Sequence, residues 1–325
     1  MLTARDLRGM YAIIPTPAKE GADRLDAVDT VDRDETARLV HRLIEDGASG
    51  IIALGTTGEC ATLSQDDYEG FVDCLLETVR KRVPTFVGAT ALGGHEVVRR
   101  LRFLRARGAD GTLLGIPMWQ PATLAAAVQY YAGITELFPD LAIMVYANSR
   151  AFRFPFGPDF WEGVSQRAPT VMSAKFSNAD MLLDVLAASH GRVNFVPNDG
   201  AVYRFAALSP DTTTACWATA ASMGPQPSVA VMDAILARDM ERAKQVANDI
   251  AWAGEPIHPI VSNAELFASY NIQVEKIRID AAGYCKAGPI RPPYNVMPEE
   301  YAAAARECGR RWAQLCQKYA RAQIG

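Results

Sequence analysis

The segment TVMSAKFSN, residues 170–178, ends a dry run of Val, Met and Ala on a lysine, Lys175. An ammonium among such neighbours loses its hydration, so it must be paired, snorkel to the surface, or sit there neutral for a purpose. A free lysine titrates near ~10.4, which leaves about one molecule in a few thousand uncharged at pH 7. Burial lowers that value and makes the amine a usable nucleophile. A neutral lysine beside a ketone forms a Schiff base, and the protonated imine accepts electrons when a neighbouring C–C or C–H bond breaks, which is the chemistry of aldolases and lyases. The ordinary alternative is a lysine snorkelling at a strand end, and its company decides between the two.

That company is a short set of residues. Tyr146 closes the apolar run LAIMVYA, and a phenol there can carry the proton that carbinolamine formation and collapse require. The turn GTTGE, with Thr56 and Thr57, offers two hydroxyls and several backbone N–H groups, a setting that suits a carboxylate. Met118, Trp119 and Trp217 would give a cavity apolar, aromatic walls suited to a flat aromatic substrate. Each has a plainer reading as a βα turn or as core. The four histidines never fall at paired ligand spacing, so no metal site is expected, and His258, between two prolines, is expected in a surface loop.

The elements that must position these residues are eight short apolar runs, at 10–16, 50–55, 85–90, 111–117, 141–147, 170–176, 193–198 and 212–218. Amphipathic stretches alternate with them, the pattern of repeated βα units on a parallel sheet. Eight is the number a closed (β/α)8 TIM barrel needs, and in such barrels chemistry gathers at the C-terminal strand ends. An open dinucleotide-binding sheet would carry G-x-G-x-x-G after its first strand, where this chain has PTPAKEGADR. Ser64 with Asp67 reads as a capping box, and several helices stop on glycine before the next strand. After residue 225 the alternation ends. Residues 1–225 are expected to form the barrel, and 226–325 its last helix and a C-terminal helical subdomain.

The chain has 325 residues and a net charge of -4, with its basic residues scattered, so no nucleic-acid footprint is present and a small-molecule partner is expected. Six cysteines without C-x-x-C spacing argue against zinc and disulfides and suit reduced thiols in the cytoplasm. No 18-residue apolar run or signal-like N-terminus is present, so neither membrane span nor export is expected.

GTTGE, the tyrosine at the fifth strand end and the lysine of SAKFSN at the sixth resemble the pyruvate-dependent Schiff-base aldolases of the dihydrodipicolinate synthase and N-acetylneuraminate lyase superfamily. The resemblance implies a barrel, usually homotetrameric, with Lys175 forming the imine, Tyr146 shuttling protons, and Thr56 and Thr57 holding the pyruvyl carboxylate. Met118-Trp119 replaces the tyrosine pair of the synthases, and Ala151 stands at their substrate-binding arginine, which argues against synthase activity. GECATL, GIPMW, YANSRAF, ACWAT and YNIQVEKIRIDAAGYCKAGPIRPPYN resemble a narrower branch, the hydratase-aldolases of polycyclic aromatic degradation that act on trans-o-hydroxybenzylidenepyruvate or trans-2'-carboxybenzalpyruvate. By that similarity Asn148 and Asn271 hold the water or hydroxyl at the reacting carbon, Trp217 shapes the aryl pocket with Trp119 beside it, and no cofactor is needed beyond the imine at Lys175.

What this resemblance implies is hydration and cleavage of an ortho-substituted benzylidenepyruvate to an aromatic aldehyde and pyruvate. Another pyruvate lyase or synthase acting on a sugar acid or aldehyde is the alternative within enzymes. A non-catalytic barrel that binds a 2-oxo acid is the alternative outside them. An ortho carboxylate would call for a cation, for which Arg150 and Arg153 are the sequence candidates.

Overall fold

The computed structural model describes residues 2–320. Every expected run carries a strand: β1 (Gly9–Ile13), β2 (Gly50–Ala53), β3 (Thr85–Gly88), β4 (Gly111–Leu114), β5 (Ala142–Tyr146), β6 (Val171–Lys175), β7 (Asn194–Val196) and β8 (Ala215–Ala218). All pair in parallel in the order β7-β6-β5-β4-β3-β2-β1-β8, and a parallel bridge between Asn198 and Trp217 joins the two ends into the expected (β/α)8 barrel. Strands buried on both faces need no polar side, which is why these runs read as continuously apolar. Gly88 is required by a close approach, since a Cβ there would lie 1.9 Å from the Leu54 carbonyl oxygen.

The helices are α1 (Arg33–Glu45), α2 (Gln65–Val79), α3 (Gly94–Ala106), α4 (Leu124–Leu137), α5 (Ser149–Phe152), α6 (Pro158–Arg167), α7 (Leu182–Ala188), α8 (Val202–Leu208), α9 (Gln226–Leu236), α10 (Met240–Gly254), α11 (His258–Val261), α12 (Ala264–Ala282) and α13 (Glu299–Lys318). Ser64 caps α2 by accepting from the Asp67 N–H at 3.1 Å. The capping box is only half formed, because the Asp67 carboxylate accepts instead from the N–H and hydroxyl of Thr30, at 2.9 and 2.8 Å. His258 opens the short helix α11 rather than lying in a loop.

Past the barrel, α12 packs on α13 and reaches back to α5 and to the turn Ala220–Met223 that follows β8. It therefore reaches from the β5 side of the C-terminal mouth to the β8 side. Tyr270, at φ -122° and ψ 15°, kinks it there. The Trp312 indole of α13 donates to the Gly224 carbonyl at 2.9 Å and ties this layer to the barrel. Among the described residues no helix is long and apolar enough to cross a membrane, and all six cysteines are free.

Candidate active site

Parallel pairing puts Tyr146 and Lys175 opposite one another at the last register position of β5 and β6. The Lys175 Nζ lies 4.8 Å from the centroid of the Tyr146 ring and 3.4 Å from that of Trp217, which comes from the end of β8. Burial pulls the Lys175 pKa below the ordinary lysine value, with Tyr146 and Glu275 opposing the shift and Arg150 adding to it. Burial alone would raise the Tyr146 phenol. The Lys175 charge and hydrogen bonds with Thr56 and Asn148 outweigh it and leave the phenol below its usual range.

The Tyr146 hydroxyl is held at 2.9 Å from the Thr56 hydroxyl, and the Asn148 amide nitrogen lies 3.4 Å from it. Asn148 is itself fixed, because its side-chain oxygen caps α5 by accepting from the Ala151 N–H at 3.2 Å. The turn carrying Thr56 and Thr57 is contorted: Leu54 and Glu59 both have positive φ, 57° and 54°, where non-glycine residues are uncommon. A Cβ at Gly58 would lie 2.7 Å from the Leu54 nitrogen, so only glycine fits there. The Thr56 backbone N–H also bonds to the Tyr146 phenol, whereas among the described residues the Thr57 N–H has no acceptor, leaving one donor beside the cavity.

Glu59 of the same turn is buried and has a structural role. Its carboxylate accepts from the Lys276 ammonium at 2.8 Å and from the Arg291 backbone and side chain at 2.9 and 2.5 Å. Arg291 continues to the Thr30 hydroxyl at 2.8 Å and the Thr16 carbonyl at 3.1 Å. This explains why GTTGE and the C-terminal segment EKIRID…GPIRPP carry charges deep in the molecule.

These residues floor a cavity of about 1300 Å³ between the barrel mouth and the C-terminal helices. Thr56, Thr57, Tyr146, Asn148, Lys175 and Trp217 line its floor, and Asn271 faces them from α12. The Trp217 Nε1 and Asn271 Oδ1 atoms are buried without a protein partner, a costly arrangement unless a ligand or water satisfies them. Among the described residues no cluster of three His, Cys, Asp or Glu side chains is placed to hold a metal ion.

Two expectations change. Trp119 is 80% exposed and does not line this cavity, because the loop after β4 turns outward and is pinned there by the Arg153 guanidinium on the Met118 and Trp119 carbonyls. Arg153 is thereby occupied, whereas Arg150 lines the cavity with its guanidinium 4.6 Å from the Phe267 ring centroid. His258 also borders the cavity. Sequence reasoning missed Phe267, Glu275 and Arg278, which line it from α12 on the same face as Asn271. Their spacing of four, four and three residues was the available signal.

A parallel barrel with a buried lysine and a strand-end tyrosine facing each other at its mouth defines a class, the barrel lyases. The chain belongs to the dihydrodipicolinate synthetase family, which matches residues 24–307. It is 42% identical over 323 residues to a trans-O-hydroxybenzylidenepyruvate hydratase-aldolase of Pseudomonas aeruginosa, covering 98% of this chain and 96% of that protein. It is 35% identical over 322 residues to a trans-2'-carboxybenzalpyruvate hydratase-aldolase of a Nocardioides species, with 98% and 96% covered. The solved structure of PhdJ bound to a substrate intermediate superposes with a TM-score of 0.95 at 37% identity, covering 98% of this chain and 99% of that one.

Proposed function

We propose that this protein is a hydratase-aldolase that converts an ortho-substituted benzylidenepyruvate to an aromatic aldehyde and pyruvate through an imine at Lys175. The observation that carries the reading is the Lys175 Nζ, set 3.4 Å over the Trp217 ring with Tyr146 as its cross-strand partner. Burial favours the neutral amine, the form that attacks the 2-oxo carbon. Tyr146, steadied by Thr56 and Asn148, moves the protons that carbinolamine formation and dehydration require. The hydroxyls of Thr56 and Thr57 and the unpaired Thr57 N–H receive the substrate carboxylate.

The iminium draws electrons from the conjugated alkene, and water held by Asn148 and Asn271 adds at the benzylic carbon. Retro-aldol cleavage then releases the aldehyde and leaves an enamine, which is protonated and hydrolysed to pyruvate. The imine supplies the electron sink, so this route calls for no metal or dissociable cofactor. Trp217 and Phe267 present aromatic walls to the ring, which favours an aryl substrate over a sugar acid. The proposal includes a homotetramer in the cytoplasm, as the family resemblance suggests.

Borohydride reduction in the presence of pyruvate, followed by intact mass, tests the imine. An adduct that forms on the wild type and disappears in Lys175→Ala is the expected result, and an adduct that survives in Lys175→Ala rejects it. Comparing a benzylidenepyruvate with a 2-keto-3-deoxy sugar acid in steady-state assays tests the substrate; turnover of the sugar acid alone sinks the aryl reading.

A further inference from the structure

Hydration and cleavage both require a proton acceptor at the benzylic oxygen, the end of the substrate far from Lys175. Phe267, Asn271, Glu275 and Arg278 form one stripe along α12, all lining the cavity that Lys175 floors. Three carboxylates border this cavity: Asp199, Glu255 and Glu275. Asp199 is committed, accepting from the Ser228 hydroxyl at 2.6 Å and the Gly200 N–H at 3.1 Å. Glu255 pairs with Arg311 at 3.0 Å and is two-thirds exposed, its side chain at 66%.

Glu275 differs from both. It is buried, 6% exposed, and its Oε2 is gripped by the Arg278 Nε and Nη2 at 2.9 and 2.6 Å. Its Oε1 has no protein partner among the described residues and is not sealed off, so it opens to the cavity. One turn earlier on the same face, the Asn271 Oδ1 is also unpartnered. The two unpartnered oxygens lie one turn apart on the helix face that lines the cavity; the Asn271 Oδ1 is sealed from solvent, so Oε1 of Glu275 is the one that a water in the cavity can reach.

We propose, on the basis of the hydratase-aldolase function above, that Glu275 is the acid–base residue at the benzylic end, holding the attacking water and accepting its proton. As the water oxygen bonds to the benzylic carbon, the alkene electron pair moves toward the iminium and one water proton passes to Oε1. A proton taken up at C3 restores the iminium and balances the one left on Glu275. Glu275 gives up its proton before cleavage, then accepts the hydroxyl proton as the C–C pair flows into the iminium, giving aldehyde and enamine. Arg278 anchors the carboxylate so that a single oxygen faces the substrate.

The test separates the two ends of the substrate. Exchange of the pyruvate methyl hydrogens in D2O needs only imine and enamine, whereas turnover of a benzylidenepyruvate also needs the benzylic acid–base group. Glu275→Gln is expected to cut kcat on the benzylidenepyruvate by about 10²–10⁴-fold while methyl exchange and the borohydride adduct persist. Glu275→Asp is expected to recover part of the lost turnover. Turnover of Glu275→Gln within threefold of wild type overturns the proposal, and so does a parallel loss of exchange, which would mark a role in the fold or at the imine. A wild type that exchanges pyruvate yet turns over no benzylidenepyruvate overturns the function above, and this role with it.

Discussion

Tyr146 and Lys175 are register partners on adjacent parallel strands, and the Lys175 Nζ sits 4.8 Å from the centre of the Tyr146 ring. The barrel backbone thus fixes the two side chains against each other, with no loop between them to relax.

Removing the nucleophile leaves binding but no covalent route. Lys175→Ala is expected to lower kcat by at least about 10⁴-fold, with no borohydride adduct by mass spectrometry. Residual turnover above one per cent would place the chemistry elsewhere.

Tyr146→Phe keeps the ring that packs on Phe152 at 5.3 Å and deletes the hydroxyl bonded to Thr56. A loss of about 10²–10⁴-fold in turnover is expected, with slower rather than absent adduct formation in a quenched time course.

Burial depresses the Lys175 pKa, so protonating this amine costs the folded state stability. That penalty is fully present below the folded pKa and is relieved as pH rises from there to the unfolded value near ~10.4. Lys175→Met is therefore expected to melt above the wild type at pH 7, with the gap closing toward pH 10. Parallel thermal melts across that range measure it; a gap that widens with pH contradicts the assignment.

Glu59 neutralises two cations in the interior, Lys276 and Arg291, whose side chains are 1% and 3% exposed. Glu59→Ala strands both and is expected to cost about 3–5 kcal/mol in urea unfolding, although the residue touches no substrate in the proposed reaction.

Trp217→Ala removes the aromatic surface under the Lys175 Nζ and one wall of the cavity. The KM for an aryl substrate is expected to rise about tenfold or more, given ~1.5–3 kcal/mol for burying a large apolar side chain. Pyruvate adduct formation should persist, since Lys175 and Tyr146 remain.

The barrel was legible because each strand is a short apolar run buried on both faces, and strand-end position gave the candidates from which residue chemistry and the family resemblance drew Tyr146, Lys175 and the GTTGE turn. Trp119 misled because residue type says nothing about which way a loop turns, and Arg153 holds that loop outward. The roof was harder to read. Gln273, Glu275 and Lys276 of α12 are all buried, on more than one face of the helix, so its polar residues do not mark a solvent side. The spacing of Phe267, Asn271, Glu275 and Arg278 puts them on one face, but only the barrel mouth beneath tells that this face looks inward.

The Glu59–Arg291 pair spans 232 residues. A chain emerging from the ribosome completes all eight strands, and with them its lysine and tyrosine, while Glu59 still lacks both its cations. The turn that carries Thr56 and Thr57 can lock only after Lys276 and Arg291 have been made. A barrel complete in its strands but not yet in its tail would thus hold Lys175 beside Tyr146 with the neighbouring turn unfinished, and synthesis itself sets the order in which the two halves of the candidate site come into being.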